Sequence, residues 1–335
     1  MNIEDYKGVL VYIEQRNRQI QKVSLELLGK GREIADKLGE KLSAVIIGYD
    51  IKNSADELIH YGADKVIIVD DEILKDYITE TYTKSLASVI NEEKPAVVLI
   101  GATSIGRDLA PRTSARIHTG LTADCTSLDI EEKTRLLLMT RPAFGGNIMA
   151  TIICPDFRPQ MSTVRPGVMV KPKIDTSRSG EVIEFDAKLT KEDINVEILE
   201  IVKSEKKKIN IEDAKVLVSA GRGVGSKDNM PLLYDLADEL KGEVSGSRGV
   251  IDNTWLEKDR QVGQTGKTVR PNLYFACGIS GAIQHLAGME ESEFIVAINK
   301  NPDAPIFEVS DVGVVGDVLK ILPLVTEEIR KSRER

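Results

Sequence analysis

The sequence predicts an α/β protein of two doubly wound, mostly parallel-sheet domains, the first with an added antiparallel hairpin. Three observations predict it. Apolar, β-branched runs alternate with helix-spaced leucines through the first hundred residues. The same alternation restarts after residue 215, and the stretch between holds two strand-like runs around a Pro/Gly/Asn turn. Runs that are apolar at every position, not at alternate ones, belong in a sheet covered on both faces. At 335 residues the chain also exceeds what one core usually organises.

The elements follow in order. Residues 8–13 (Gly-Val-Leu-Val-Tyr-Ile) read as a strand, and Leu25, Leu27, Leu28, Ile34, Ala35 and Leu38 mark a helix over 24–38. Strands follow at 42–48, 66–69 and 96–101, separated by helices at 54–61 and 77–91. Leu136–Met139 and the run 148–153 flank Arg-Pro-Ala-Phe-Gly-Gly-Asn (141–147), the signature of an antiparallel hairpin. Extended segments are expected through 161–170 and 181–185. The basic run at 203–208 contains no aromatic residue and reads as a solvated linker, which sets the first domain at 1–204.

The second domain, 205–330, begins with a strand at 215–220 and a helix carrying Leu232, Leu233, Leu236, Ala237 and Leu240 on one face. Further strands are expected at 273–277, 294–298 and 306–309. Asp317 is placed to cap a last helix, and 331–335 form a charged tail.

Composition removes several function classes. A net charge of −8 does not suit a nucleic-acid or anionic-membrane coat. No apolar run approaches the roughly 20 residues needed to span a bilayer, and the acidic start Met-Asn-Ile-Glu-Asp-Tyr lacks signal character, so a cytoplasmic protein is expected. Cys125, Cys154 and Cys277 are widely spaced and form no ligand pattern, which gives no metal site. His60, His118 and His285 are the only histidines; the first two fall on expected helices without partners. Trp255 reads as loop packing, and Arg107, Asp108, Arg112 and Arg116 as a solvated helix face.

Ligands of open parallel sheets bind beyond the carboxyl ends of the strands. In the second domain polar, glycine-rich clusters recur there: 221–225 (Gly-Arg-Gly-Val-Gly), 245–249 (Ser-Gly-Ser-Arg-Gly), 261–267 (Gln-Val-Gly-Gln-Thr-Gly-Lys), 277–285 and 298–303. Each alone is equally a structural turn. Together they suit a large polar ligand with a diphosphate, a nucleotide cofactor.

The stretches 262–267, Gly-Ile-Ser-Gly-Ala-Ile-Gln-His-Leu-Ala-Gly-Met (278–289) and Ala-Ile-Asn-Lys-Asn-Pro-Asp-Ala-Pro-Ile-Phe (297–307) resemble the FAD-binding region of electron-transfer flavoprotein alpha subunits. Stretches 106–112, 120–125, 141–147 and 158–167 carry the resemblance through the first domain, so it covers nearly the full chain.

The resemblance implies an FAD-binding Rossmann-like second domain. It implies that Arg222, Ser247, Arg248, Val262, Gly263, Gln264, Thr265, Ser280, Gly281, Ala282, Ile283, Gln284, His285, Asn299 and Asp317 hold the cofactor. It puts Arg248 by the isoalloxazine ring, Thr265 near N5, and His285, as a cation, near the N1/C2-carbonyl edge. It also implies a single-electron carrier, not an enzyme. Its first domain would dock on a beta subunit in a heterodimer, and its redox partners would be acyl-CoA dehydrogenase-type flavoproteins and a downstream acceptor. Some members join electron-bifurcating complexes in which NADH is oxidised. The alternative, a nicotinamide-dependent Rossmann dehydrogenase, requires G-x-G-x-x-G, and Gly221-x-Gly223-x-Gly225 does not supply that spacing.

Overall fold

The computed structural model describes residues 2–143, 148–196, 198–201 and 210–333. They form two compact units, one from residues up to 201 and one from residues 210–333. The expected linker at 203–208, the hairpin tip at 144–147 and the last two residues of the charged tail lie outside the described residues.

The first unit runs β1 (Val9–Ile13), the short ribbon β2 (Gln15–Arg16) and β3 (Gln19–Ile20), α1 (Lys22–Leu38), β4 (Leu42–Gly48), α2 (Ala55–His60), β5 (Lys65–Asp70), α3 (Thr79–Glu93), β6 (Val97–Gly101) and α4 (Ser104–Arg116). It continues through β7 (Leu121–Cys125), β8 (Ser127–Ile130), β9 (Leu137–Ala143), β10 (Ile148–Ile152), β11 (Gln160–Val164) and β12 (Glu181–Glu184). Seven strands make one parallel sheet in the order β12-β5-β4-β1-β6-β11-β7. Alternation along β1 supplies both faces: Val9, Val11 and Ile13 enter one core with α1, while Leu10 and Tyr12 enter the other with α3 and α4. That two-sided burial is why the strands read as unbroken apolar runs.

The antiparallel hairpin is present. β9 and β10 pair as expected, with β8 on the other side of β9, in a separate three-stranded sheet. His118 departs from its expected helix. α4 closes at Arg116, and His118 takes a left-handed φ of 58° while Thr119 N–H returns to the Ser114 carbonyl. It therefore sits in the helix-terminating turn.

The second unit runs β13 (Val216–Ala220), α5 (Pro231–Leu240), β14 (Glu243–Gly246), α6 (Arg248–Asp252), β15 (Leu273–Cys277), α7 (Ile283–Leu286), β16 (Ile295–Asn299), β17 (Val312–Val315) and α8 (Val318–Arg333). Its five strands are all parallel, in the order β14-β13-β15-β16-β17. Val218, Ala220, Phe275 and Cys277 pack beneath α5 and α8, and Leu217, Tyr274 and Ala276 pack on the opposite face with Val262, Ile279 and Ile306.

The strand expected at 306–309 is instead a single 3-10 turn, Pro305–Glu308. Pro305 fits the first position of such a turn, and the Ile306 N–H is committed to the Ser280 carbonyl at 3.1 Å, so it cannot serve a ladder. The edge strand is β17, three residues further on. Asp317 caps α8 as expected, its Oδ1 accepting from Leu319 N–H at 3.0 Å.

Candidate functional site

The strand order of the second unit creates the site. From β13 the chain steps to β14 on one side and then to β15 on the other, so the sheet reverses direction between β13 and β15. The turns leaving those two strands diverge there, which opens a crevice at the carboxyl edge. They nearly touch at their roots: a Cβ on Gly221 would lie 2.2 Å from the Gly278 carbonyl oxygen, and Gly278 itself takes a φ of 65°. Only glycine at 221 lets the two backbones approach this closely.

Each strand end delivers residues to that edge. Arg222 opens the 3-10 turn after β13, and its Cδ lies 2.9 Å from where a Gly249 side chain would begin, so the guanidinium stem covers the start of α6. Ser247 and Arg248 follow β14; Ser247 N–H donates to the Ala220 carbonyl at 2.9 Å. The Arg248 side chain is 72% exposed, and its ion pair with Asp252 one turn on is 3.3 Å long. After β15 come exposed Ser280, Ala282, Ile283 and Gln284 around buried Gly281. Asn299 ends β16 with both amide atoms in use, Nδ2 to the Ile279 carbonyl and Oδ1 from the Asn301 N–H. Asp317, beyond β17, also pairs with Lys300 at 3.1 Å. The α8 N–H and Lys300 hold its carboxyl below the usual range.

The loop 261–267 precedes β15 in sequence, yet the structure returns it to the same edge. Val262 N–H donates to the Gly246 carbonyl at 2.9 Å, which extends the end of β14. Gly263, at φ 135°, lies against the backbone of the 282–285 turn, and Gln264 N–H donates to the Gln284 carbonyl at 2.6 Å. Thr265 stands at the exposed tip and accepts from Gln261 Nε2 at 2.9 Å.

His285 is set apart from the other candidates. It is 6% exposed; Nδ1 lies 3.2 Å from the Val262 carbonyl and Nε2 lies 2.9 Å from the Tyr274 hydroxyl. Burial drives its pKa down to about 4, against only a small opposing effect of the Val262 hydrogen bond. The ring is therefore neutral near pH 7, which corrects the imidazolium expected from sequence. A carbonyl cannot donate, so Nδ1 carries the proton and Nε2 accepts from the phenol.

The arrangement suits a nucleotide cofactor. The N–H groups of Ser280, Gly281 and Ala282 find no backbone acceptor among the described residues. Two arginines stand at the same edge, and these are the donors that phosphate oxygens require. No group of His, Cys, Asp and Glu among the described residues could hold a metal ion. The residue that sequence reasoning missed is Tyr274, while Gln261, read only as the start of the 261–267 cluster, holds Thr265. Tyr274 read as one more aromatic in an apolar strand, and its only signal was that a buried tyrosine needs a partner for its hydroxyl.

Comparison with known proteins decides what the cofactor is. Residues 9–190 match the electron transfer flavoprotein domain, and residues 210–290 match the electron transfer flavoprotein FAD-binding domain. The chain is 55% identical over 331 residues to the electron transfer flavoprotein subunit alpha of Thermoanaerobacterium thermosaccharolyticum, covering 99% of this chain and 100% of that one. The chain belongs to the electron transfer flavoprotein alpha-subunit family.

The alpha subunit of Clostridium acetobutylicum is also 55% identical, over 99% of both chains. A relative from Anaerotignum propionicum, described as acryloyl-CoA reductase electron transfer subunit beta, is 47% identical over 99% of this chain and 98% of that one. Alpha subunits of electron transfer flavoproteins carry electrons on FAD and are not enzymes, and the matched FAD-binding stretch holds β13, β14 and β15 of the second unit. Asn299 and Asp317 lie beyond the matched stretch. No described helix is long and apolar enough to cross a membrane.

Proposed function

We propose that this chain is the FAD-carrying half of a cytoplasmic heterodimer with an electron-transfer flavoprotein beta subunit. It passes single electrons from an acyl-CoA dehydrogenase-type flavoprotein to a downstream redox protein. The observation that carries this reading is that the five strands of the second unit are parallel and end at one sheet edge, the first three within the stretch that matches its family's FAD-binding domain. The relative named for acryloyl-CoA reductase supports an acyl-CoA-linked partner. Participation in an electron-bifurcating complex is compatible with the same site.

Bound FAD supplies the one-electron chemistry, and the chain supplies its setting. The N–H groups of Ser280, Gly281 and Ala282 would meet the diphosphate, with Arg222 as counter-charge. Asn299 and Asp317 would face the ribose and adenine edges, on the far side of the sheet from Ser247. Val262, Gly263 and Gln264 bring Thr265 to the exposed tip, where its hydroxyl would donate to the ring. Ile283 and Gln284 flank the same turn. Arg248, exposed and weakly paired, would be the standing cation near the ring, since His285 is neutral in the cofactor-free chain. The first unit, residues 1–204 in the sequence reading, would dock on the beta subunit; among its described residues Ile148, Met149, Ile152, Ile153 and Phe157 are exposed together along and after β10.

Co-expression with the beta subunit followed by desalting tests the reading. Flavin absorbance retained at one FAD per chain in this site supports it; a colourless complex that cannot be reconstituted with FAD refutes it.

A further inference from the structure

The Tyr274–His285 contact is part of a larger buried polar group that the site as described does not use. Tyr274 is fully buried, as are Ser219 and Ser245. Ser219 on β13 and Ser245 on β14 are register partners, and Leu217, two residues before Ser219, is the partner of Tyr274 on β15. Two-residue periodicity therefore sends all three polar side chains to one face of the sheet. Burial raises the phenol pKa, and the two serine hydroxyls are near enough to lower it in part. Neither serine hydroxyl completes a hydrogen bond of its own. Buried hydroxyls beside a phenol, short of a completed hydrogen bond, ask for a reason.

We propose that Tyr274 is the positioning residue for His285. Its hydroxyl fixes the ring by donating to Nε2 while the Val262 carbonyl sets the tautomer, and it turns toward Ser219 or Ser245 when His285 takes a second proton. In the resting arrangement the phenol donates to Nε2. When negative charge reaches the cofactor, a proton from solvent adds to Nε2. The phenol oxygen then accepts from Nε2–H, and its own hydrogen rotates to a serine oxygen. The phenol keeps its proton and no bond to carbon forms. Tyr274 is the only titratable side chain in hydrogen-bond contact with the ring among the described residues, and no charged side chain contributes to the ring's titration. The Val262 carbonyl accepts from Nδ1 in both states, so loop 261–267 stays anchored throughout. This inference rests on the proposed FAD site and on His285 lying beside the cofactor, as the family resemblance implies.

The test uses the FAD-loaded complex with its beta subunit. Nitrogen-15 spectra of labelled histidine, assigned with His285→Asn, report the tautomer. A redox titration reports the first reduction potential. Tyr274→Phe keeps the ring and removes the hydroxyl. The expected result is loss of the hydrogen-bonded Nε2 shift, with Nδ1 still protonated against Val262, and a potential lowered by a roughly tenfold change in equilibrium constant, about 59 mV for one electron. The double variant Ser219→Ala/Ser245→Ala should keep the tautomer and still lower the potential, and it carries the test if Tyr274→Phe does not fold. An unchanged Nε2 shift and potential in Tyr274→Phe, with a shifted potential in His285→Asn, overturns the positioning role and leaves the cofactor placement standing. An unchanged potential in His285→Asn overturns the placement, and the positioning role with it.

Discussion

Gln264 N–H donates to the Gln284 carbonyl at 2.6 Å, joining two loops that are twenty residues apart in sequence and both sit at the cofactor edge. The contact exists because Gly263 lies beside it at φ 135°, with no Cβ to collide. An added Cβ would lie 2.7 Å from that same Gln284 oxygen.

Gly263→Ala should therefore separate the loops. The left-handed strain and the clash together cost about 1–3 kcal/mol, concentrated in loop 261–267 and outside the two cores. Expected is a loss of FAD occupancy after desalting with far-UV circular dichroism unchanged. Full occupancy would show that the loop tolerates the displacement.

Arg248→Ala tests the charge at the ring. An exposed i,i+4 pair with Asp252 contributes at most about 0.5 kcal/mol, so stability should hardly move. The flavin's first reduction potential should fall. A cation at about 4 Å is worth about 1 kcal/mol fully screened and about 4 kcal/mol partly screened, which is about 40–170 mV for one electron. Arg248→Lys should recover part of it. A potential unchanged in Arg248→Ala would remove the residue from the ring's surroundings.

His285 also gives the stability of the flavin-free protein a defined pH dependence. Its folded pKa, about 4, lies below the ordinary value of 6.5, so between them the unfolded chain binds the extra proton. Stability is then unaffected above pH 6.5, falls as pH drops through the window, and has lost about 3 kcal/mol below pH 4. At pH 5 the loss is about 2 kcal/mol. The urea midpoint of His285→Asn should fall less than that of the parent between pH 7 and pH 5; parallel curves would mean the ring titrates normally.

In the first unit, Arg165 is 5% exposed and its Nη2 meets Asp124 at 2.8 Å. Burial alone would raise the Asp124 pKa, but hydrogen bonding and charge from Arg165 outweigh it and hold the carboxyl low. Asp124→Ala leaves a buried guanidinium with its main counter-charge removed and should destabilise this unit by about 3–5 kcal/mol. A loss below 1 kcal/mol in chemical denaturation would show that other groups neutralise Arg165.

Much of the architecture was legible because its signals are local. Strand 42–48 and strand 273–277 were bounded correctly, since full burial writes an apolar run into the sequence itself. Failures came where a distant contact decided the outcome. Ile306–Val309 has strand composition, but the Ser280 carbonyl takes the Ile306 N–H. β14 was invisible as a strand because Glu-Val-Ser-Gly holds a single apolar side chain and is ordered by β13 beside it. The candidate site was legible as clusters at strand ends, whereas the charge state of His285 was not. Composition reports that a histidine is present, and only the packed neighbours report that the imidazole has no water.

The order of strands in the first unit has a consequence during synthesis. β7 pairs with β11, which lies between it and β6. When Leu121–Cys125 leaves the ribosome, the strand it must pair with, Gln160–Val164, has yet to be made. β12, at the opposite border, waits longer still. The β6 flank thus stays open until residue 164 has emerged and the β5 flank until residue 184, and truncations that look generous on a linear map would leave the border of β5 available to other chains.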